Sequence, residues 1–254
     1  MTNAQSDAAW PAASLADIEA QLCAPGARFE MVQQTVAGQP VRTWKNVPPT
    51  LAALAQLART HGDTPFAILE QERVSYADFH RATAALARHF LSLGIGKGDR
   101  IGLAMRNLPE WPVCFFAAAS IGAIVVPLNA WWTGQELEYG LADAGARILL
   151  CDAERHARLT DHYAALPDLE TVLVTRADGD LTCSARALAS VIGTTADYGA
   201  LPDDDLPASE LAPDDPATIF YTSGTTGQPK GALGTHRNIC TNIFSSAYAA
   251  ARSF

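Results

Sequence analysis

From Thr50 onward the apolar positions fall into two alternating rhythms. Leu51, Leu54, Ala55 and Ala58 recur at helical spacing until Gly62 stops them. Phe66 to Leu69 is a short apolar run that reads as a strand. Ser75-Tyr76-Ala77-Asp78 fits a capping box. Behind it, Phe79, Thr83, Leu86, Phe90 and Leu93 share one face of a helix that Gly94 ends. The alternation continues with strand Arg100 to Met105, a helix from Pro109 to Ile121 and strand Ala123 to Val126. Next come a helix from the capping box Thr133-Gly134-Gln135-Glu136 to about Ala144, strand Ile148 to Cys151, helix Ala153 to Ala165 and strand Val172 to Thr175. The strands are apolar on both faces. This predicts an α/β fold, a mostly parallel sheet flanked by helices, with residues 49–196 as a first subdomain.

The two ends of the chain read differently. Residues 1–48 form an N-terminal extension in which Ser14-Leu15-Ala16-Asp17 predicts a short helix to Leu22, and Gly26, Gly38, Pro40, Pro48 and Pro49 break the pattern after it. Between Asp197 and Asp215 there are seven acidic residues, several prolines and no Lys or Arg. Residues 197–216 therefore read as a solvated acidic connector. Strand Ala217 to Tyr221 is then expected to open a second sheet, the beginning of a second α/β subdomain over 217–254. A last helix from about Thr235 carries Ile239, Ile243, Ala247 and Ala250 on one face.

Composition narrows the function. The net charge of −9 and the absence of a Lys/Arg block argue against a nucleic-acid partner. The five cysteines, Cys23, Cys114, Cys151, Cys183 and Cys240, are scattered without a CxxC, which predicts buried thiols in a reducing, cytoplasmic setting. No secretory leader is visible, since Asp7, Asp17 and Glu19 fall where an apolar core would be. The apolar run Val113 to Pro127 is too short to span a bilayer, so no integral membrane segment is expected. No HExxH occurs, and His61, His80, His89, His156 and His162 lack ligand spacing, so no protein-bound metal is expected. Gly94, Gly96 and Gly98 follow a helix rather than a strand and read as a helix stop, not a dinucleotide fingerprint. GxSxG is absent.

The chemistry concentrates in Tyr221-Thr222-Ser223-Gly224-Thr225-Thr226-Gly227-Gln228-Pro229-Lys230-Gly231. Glycines admit close backbone approach, hydroxyls and successive N–H groups donate to an anion, and one lysine supplies charge. A polyphosphate needs these groups. The spacing excludes a Walker A loop, because Gly224, Gly227 and Lys230 stand three apart and Gly231 follows the lysine.

This run resembles the [YF]TSG[TS]TGxPKG signature of the adenylate-forming superfamily, which includes acyl-CoA synthetases and peptide-synthetase adenylation domains. Further stretches are similar to segments of that family in order and spacing: Val74 to Phe79, Gly98-Asp99-Arg100-Ile101, Asn107-Leu108-Pro109-Glu110, Gly122 to Asn129, and Thr235-His236-Arg237-Asn238. The resemblance covers about residues 50–254. It implies the N-terminal part of the adenylate-forming fold and a parent activity of ATP-dependent acid–thiol ligation, as in fatty acid metabolism. A carboxylic acid, ATP with Mg2+ and coenzyme A would be the small-molecule partners. Thr222, Ser223, Thr225 and Thr226 would be hydroxyl donors to the β- and γ-phosphates, Gly224 and Gly227 backbone donors, and Lys230 the cation.

The later family motifs, for adenine, ribose, magnesium and the C-terminal lysine, do not occur before Phe254. The chain alone is therefore expected not to complete acyl-CoA synthesis, and its last residues to pack loosely or pair with a second copy. A nucleotide-binding fragment without turnover and a domain that loads a carrier protein are the alternatives. His236 reads either as a neighbour of the phosphates or, as we favour, a packing residue at a helix start. Trp131 and Trp132 read as packing rather than a substrate wall.

Overall fold

The computed structural model describes residues 14–177, 179, 181–182, 184–222 and 227–253. It divides into two compact units, one of Met1–Pro48 with Asn238–Phe254 and one of Pro49–Arg237. In the first, helix α1 (Leu15–Leu22) is capped by Ser14, whose hydroxyl accepts from the Asp17 N–H. Strands β1 (Met31–Val36) and β2 (Gln39–Trp44) form an antiparallel hairpin in the segment whose breakers had predicted only interruption. Its turn is Ala37-Gly38, both at positive φ (49° and 77°). That geometry matches the twist of the flanking strands, and the glycine supplies half of it at no steric cost.

The second unit begins with α2 (Leu51–Gln56), which runs into a 3-10 turn ended by Gly62. Strands β3 (Pro65–Leu69) and β4 (Glu72–Ser75) follow, then α3 (Tyr76–Ser92), capped by the Ser75 hydroxyl. The run Phe66 to Leu69 is a strand, but it lies outside the parallel sheet, in an antiparallel hairpin closed between Leu69 and Glu72. The Glu70-Gln71 turn lacks the Asn-Gly type of signal that marks such hairpins, which is why it is not legible in the sequence.

The body is built from β5 (Arg100–Ala104), α4 (Glu110–Ser120), β6 (Ile124–Pro127), α5 (Gly134–Ala144), β7 (Ala146–Asp152), α6 (Ala153–Leu159), β8 (Thr171–Thr175), β9 (Ala185–Ala187), α7 (Ala189–Ile192), β10 (Pro216–Thr222) and β11 (Lys230–Thr235). Among the described residues, seven strands form one sheet in the order β11-β10-β6-β5-β7-β8-β9. All neighbours are parallel except β10 and β11. The apolar runs are buried on both faces, with Ile101, Leu103, Val125, Val126, Leu149 and Leu150 fully enclosed, as helix-covered parallel strands require. Helix α6 is shorter than its apolar pattern suggests, because it stops at Leu159 and a separate 3-10 turn covers Tyr163–Ala165.

Two expectations about the later part of the chain are corrected. The strand before the Gly/Thr run does not open a second sheet. It adds to the existing one, parallel to β6 at Thr218 and Val125, so β6 is not an edge. The acidic connector is largely exposed, yet it is tied to the body. Asp203 and Asp205 pair with Arg59, Asp204 with Arg88 and Asp215 with Lys97. Composition showed the connector's charge but not the arginines and lysine that meet it.

The last helix, α8 (His236–Arg252), starts where Thr235 predicted. Its inner residues differ from the expected face. In the first unit, Phe244 and Tyr248 pack on Phe29 and Trp44, with ring centroids 5.0–5.9 Å apart. Trp44 Nε1 donates to Ser245 Oγ at 2.9 Å. Ile243 is 39% exposed. Aromatic area decides this, because each ring buries more surface than the aliphatic chains one position away.

Two charge networks fix the body, one partly exposed and one buried. Arg176, at the end of β8, bonds Glu72 of β4 with two nitrogens and also the buried Glu110 of α4. Arg155 of α6 is 1% exposed. It pairs with Asp152 at 2.9 Å and donates from Nε to the Ala130 carbonyl at 2.8 Å. Removing one member of a buried pair leaves an uncompensated charge, whereas swapping both for apolar groups need not cost anything. We therefore expect Arg155→Ala to lower the stability of the chain by about 3–5 kcal/mol in urea unfolding, far more than loss of the exposed Lys45–Glu30 pair.

Candidate functional site

In the parallel sheet, β5 sits between β6 on one side and β7 on the other. The chain order reverses there, and the loops that leave the carboxyl ends of β5 and β6 part in opposite directions. A crevice is expected at such a point. One is present, a cavity of about 430 Å³ lined by Arg106 and Asn107 after β5, Asn129 and Trp131 after β6, and Phe220 and Tyr221 of β10. The Arg106 guanidinium lies 4.0 Å from the centre of the Trp131 ring. Trp131 is 70% exposed, so it forms a cavity wall and does not pack as expected. Trp132 does pack, edge to face with Tyr221 at 5.9 Å.

The Asp152–Arg155 pair shapes this edge. Asp152 Oδ2 accepts the Arg106 N–H at 2.9 Å and its Oδ1 accepts the Arg155 N–H at 3.0 Å. Arg155 and Arg158 both hold the Ala130 carbonyl, and Arg158 also holds that of Trp132. One carboxylate and two guanidinium groups thus fix the loops after β5, β6 and β7.

The Gly/Thr/Lys run leaves the same edge. Thr222 ends β10 and Lys230 begins β11, directly opposite each other in the antiparallel ladder. Both are exposed. Gly227 has φ +98°, and a methyl there would meet no described residue within 4 Å. Among the described residues, no side chain crowds its backbone. Lys230 makes no ion pair with another described residue. Of the phosphate-binding candidates, Thr222, Gly227 and Lys230 are brought to one hairpin end, while Ser223, Gly224, Thr225 and Thr226 lie outside the described residues. Across from Tyr221, Gly231 is required by space, since a methyl there would lie 2.7 Å from Ile219 Cγ2.

Two residues of α5 that carry no motif reach this hairpin. The Tyr221 hydroxyl donates to Asp143 Oδ2 at 2.6 Å, and the Tyr139 hydroxyl donates to the Pro229 carbonyl at 3.1 Å. Burial, then the Asp143 carboxylate, push the Tyr221 phenol well above its ordinary value, so it remains a donor. Their spacing of four residues on one helix was visible in the sequence; their partners were not.

His236 is fully buried at the start of α8, and its Nδ1 accepts the Leu51 N–H at 3.2 Å. That bond places the proton of the neutral ring on Nε2. It is a packing residue of the helix start. Among the described residues, no group of three or more His, Cys, Asp or Glu could hold a metal ion. No helix of the described residues is long and apolar enough to cross a membrane.

Known proteins resemble this chain in sequence and fold. Residues 54–253 match the family model for AMP-binding enzymes. The chain is 31% identical over 193 residues to the medium-chain acyl-CoA ligase ACSF2, mitochondrial, of Danio rerio, an alignment covering 68% of this chain and 31% of that protein. It is 34% identical over 192 residues to the crotonobetaine/carnitine–CoA ligase of Salmonella agona (strain SL483), covering 72% and 35%. Among solved structures, the anthranilate CoA ligase AuaEII in complex with anthranoyl-AMP has a similar fold, with a TM-score of 0.66 at 22% identity over 75% of this chain and 35% of that one. The chain spans about a third of the length of the curated relatives it matches.

Burial holds the His236 imidazole below its ordinary value. The unfolded chain then takes up a proton below about pH 6.5 that the folded one refuses. The stability this contributes is complete above that pH and is lost as pH falls toward the folded value. We expect urea midpoints to drop between pH 7.5 and 5.5, a window above the carboxylate range, and His236→Asn to reduce that drop.

Proposed function

Because the chain belongs to the AMP-binding enzyme family, we propose that it supplies the nucleotide-phosphate part of an ATP-dependent acyl-CoA ligase. The observation that carries this reading is the pairing of Thr222 with Lys230 at one exposed hairpin end, with the backbone of Gly227 beside them, crowded by no side chain among the described residues. These groups fit a polyphosphate: an ammonium with no ion pair among the described residues, a hydroxyl, and a backbone that a ligand can approach closely.

The reaction has two steps. A carboxylate oxygen of the acid attacks the α-phosphorus of ATP, the bond to the bridging oxygen breaks, and pyrophosphate leaves. The coenzyme A sulfur then attacks the acyl carbon of the adenylate, AMP leaves with the bonding pair, and the thiol proton passes to solvent. Activation is needed because a carboxylate oxygen is a poor leaving group and AMP is a good one. In the first step the β- and γ-phosphates carry negative charge that repels the incoming carboxylate. Lys230 would neutralise it, Thr222 and Gly227 would orient it, and Ser223, Gly224, Thr225 and Thr226 would add donors within the same run. Lysine suits this task as a mobile point charge that can follow pyrophosphate as it departs. Mg2+ would arrive on the nucleotide and would supply further positive charge to its phosphates. A carboxylic acid and coenzyme A would be the other small-molecule partners.

Equilibrium binding tests the reading. The 254-residue chain should bind MgATP and inorganic tripolyphosphate, and Lys230→Ala should weaken both by about tenfold or more, the loss expected for a charge-assisted contact. Equal affinity in the variant would show that Lys230 is not the phosphate cation. Exchange of labelled pyrophosphate into ATP, run with a panel of carboxylic acids, measures the first step; thioester formation with coenzyme A or with a carrier protein identifies the acceptor.

A further inference from the structure

The β10–β11 hairpin is held to the rest of the sheet near its base. The register between β10 and β6 is Thr218 against Val125, four residues before Thr222, and β11 is the outermost strand. The ladder fixes Thr222 and Lys230 relative to each other, but it does not fix either relative to the body. The hairpin end is a cantilever, and a cantilever carrying the phosphate ligands would lose affinity through its own freedom.

Helix α5 braces it. Its N-terminus has a complete capping box between Thr133 and Glu136, and Leu137 and Leu141 are buried in the core. From the face beside those leucines, Asp143 accepts from the Tyr221 hydroxyl and Tyr139 donates to the Pro229 carbonyl. Tyr221 immediately precedes Thr222, and Pro229 immediately precedes Lys230. Each arm of the hairpin is therefore gripped by α5 one residue before its proposed phosphate ligand, the β10 arm through the Tyr221 hydroxyl, which also reaches the Gly140 carbonyl at 3.2 Å, and the β11 arm through the Pro229 carbonyl. The Tyr139 and Tyr221 rings also meet at 6.3 Å and 71°, so the two contacts support each other.

We propose that Tyr139 and Asp143 are positioning residues, which hold the two arms of this hairpin where its ligands can meet a nucleotide polyphosphate. The proposal rests on the nucleotide-binding function proposed for the same hairpin end. It assigns no contact with the nucleotide to either residue. Their effect passes through Tyr221 and the Pro229 carbonyl.

Calorimetric titration of MgATP and inorganic tripolyphosphate tests this with the full chain. Tyr139→Phe and Asp143→Ala should each weaken both ligands by the same factor, about three- to tenfold, while the thermal midpoint moves by no more than a few degrees. Asp143→Asn keeps an acceptor oxygen and should recover most of the affinity. Asp143→Ala leaves the Tyr221 hydroxyl its second acceptor, the Gly140 carbonyl at 3.2 Å, so Tyr221→Phe should cost at least as much as Asp143→Ala, and the two combined no more than Tyr221→Phe alone. Arg176→Ala, which breaks the distant Glu72–Glu110 bridge, should lower stability and leave affinity intact, so a structural loss is not mistaken for a positioning one. If Lys230→Ala abolishes binding while Tyr139→Phe and Asp143→Ala bind as the parent does, the brace is refuted and the nucleotide reading stands. If the parent binds neither ligand, the nucleotide reading falls, and the brace falls with it. A loss in Arg176→Ala equal to that in the α5 variants also overturns the proposal, since any destabilisation would then suffice.

Discussion

The carboxyl edge of this sheet depends on the buried pair between Asp152 and Arg155. Parallel strands end with loops whose N–H and C=O groups have no ladder partner, and at this edge three such loops lie side by side. Asp152 accepts from the backbone of Arg106 and of Arg155, and Arg155 in turn donates to the Ala130 carbonyl. A charge pair of this kind adds little net stability, since its desolvation offsets most of its attraction. What it supplies is geometry. The ends of β5, β6 and β7 keep a fixed spacing, so the crevice among them stays open and the Arg106–Trp131 wall stays in place.

Around that edge the body is assembled by the ordinary rules of helix-covered sheets. Apolar strands buried on both faces form the middle, and the polar work is left to strand ends and loops. The Gly/Thr/Lys run follows the same logic. Its strand joins the sheet next to β6, and this places Thr222 and Lys230 on the edge that already holds the cavity. An isolated hairpin carrying the same residues would have neither the register with β6 nor the support of α5.

The proposed chemistry uses few groups, and this suits phosphoryl and adenylyl transfer, where positioning and charge neutralisation do most of the work. A single lysine and a row of hydroxyl and backbone donors act only if their distances are set in advance. Under the proposed reading, that requirement extends from the motif to the packing of α5 against the hairpin.

Taken by itself, the sequence determined the alternation of helices and buried strands, the capped starts of α1, α3 and α5, and the position of the Gly/Thr/Lys run. Each of these is a local property: a period of apolar residues, a Ser or Thr three residues before a suitable partner, a short run of Gly, Thr and Lys. The hairpin of β3 with β4, the addition of β10 to the first sheet and the ion pairs of the acidic connector were decided by tertiary structure. So were the aromatic cluster of Phe29, Trp44, Phe244 and Tyr248 and the contacts of Tyr139 and Asp143. In most of these the partner lies far along the chain, and in all of them the energy depends on which surfaces meet. A pattern read along one dimension records that Tyr139 and Asp143 share a helix face, but only the folded chain brings Pro229 and Tyr221 to that face.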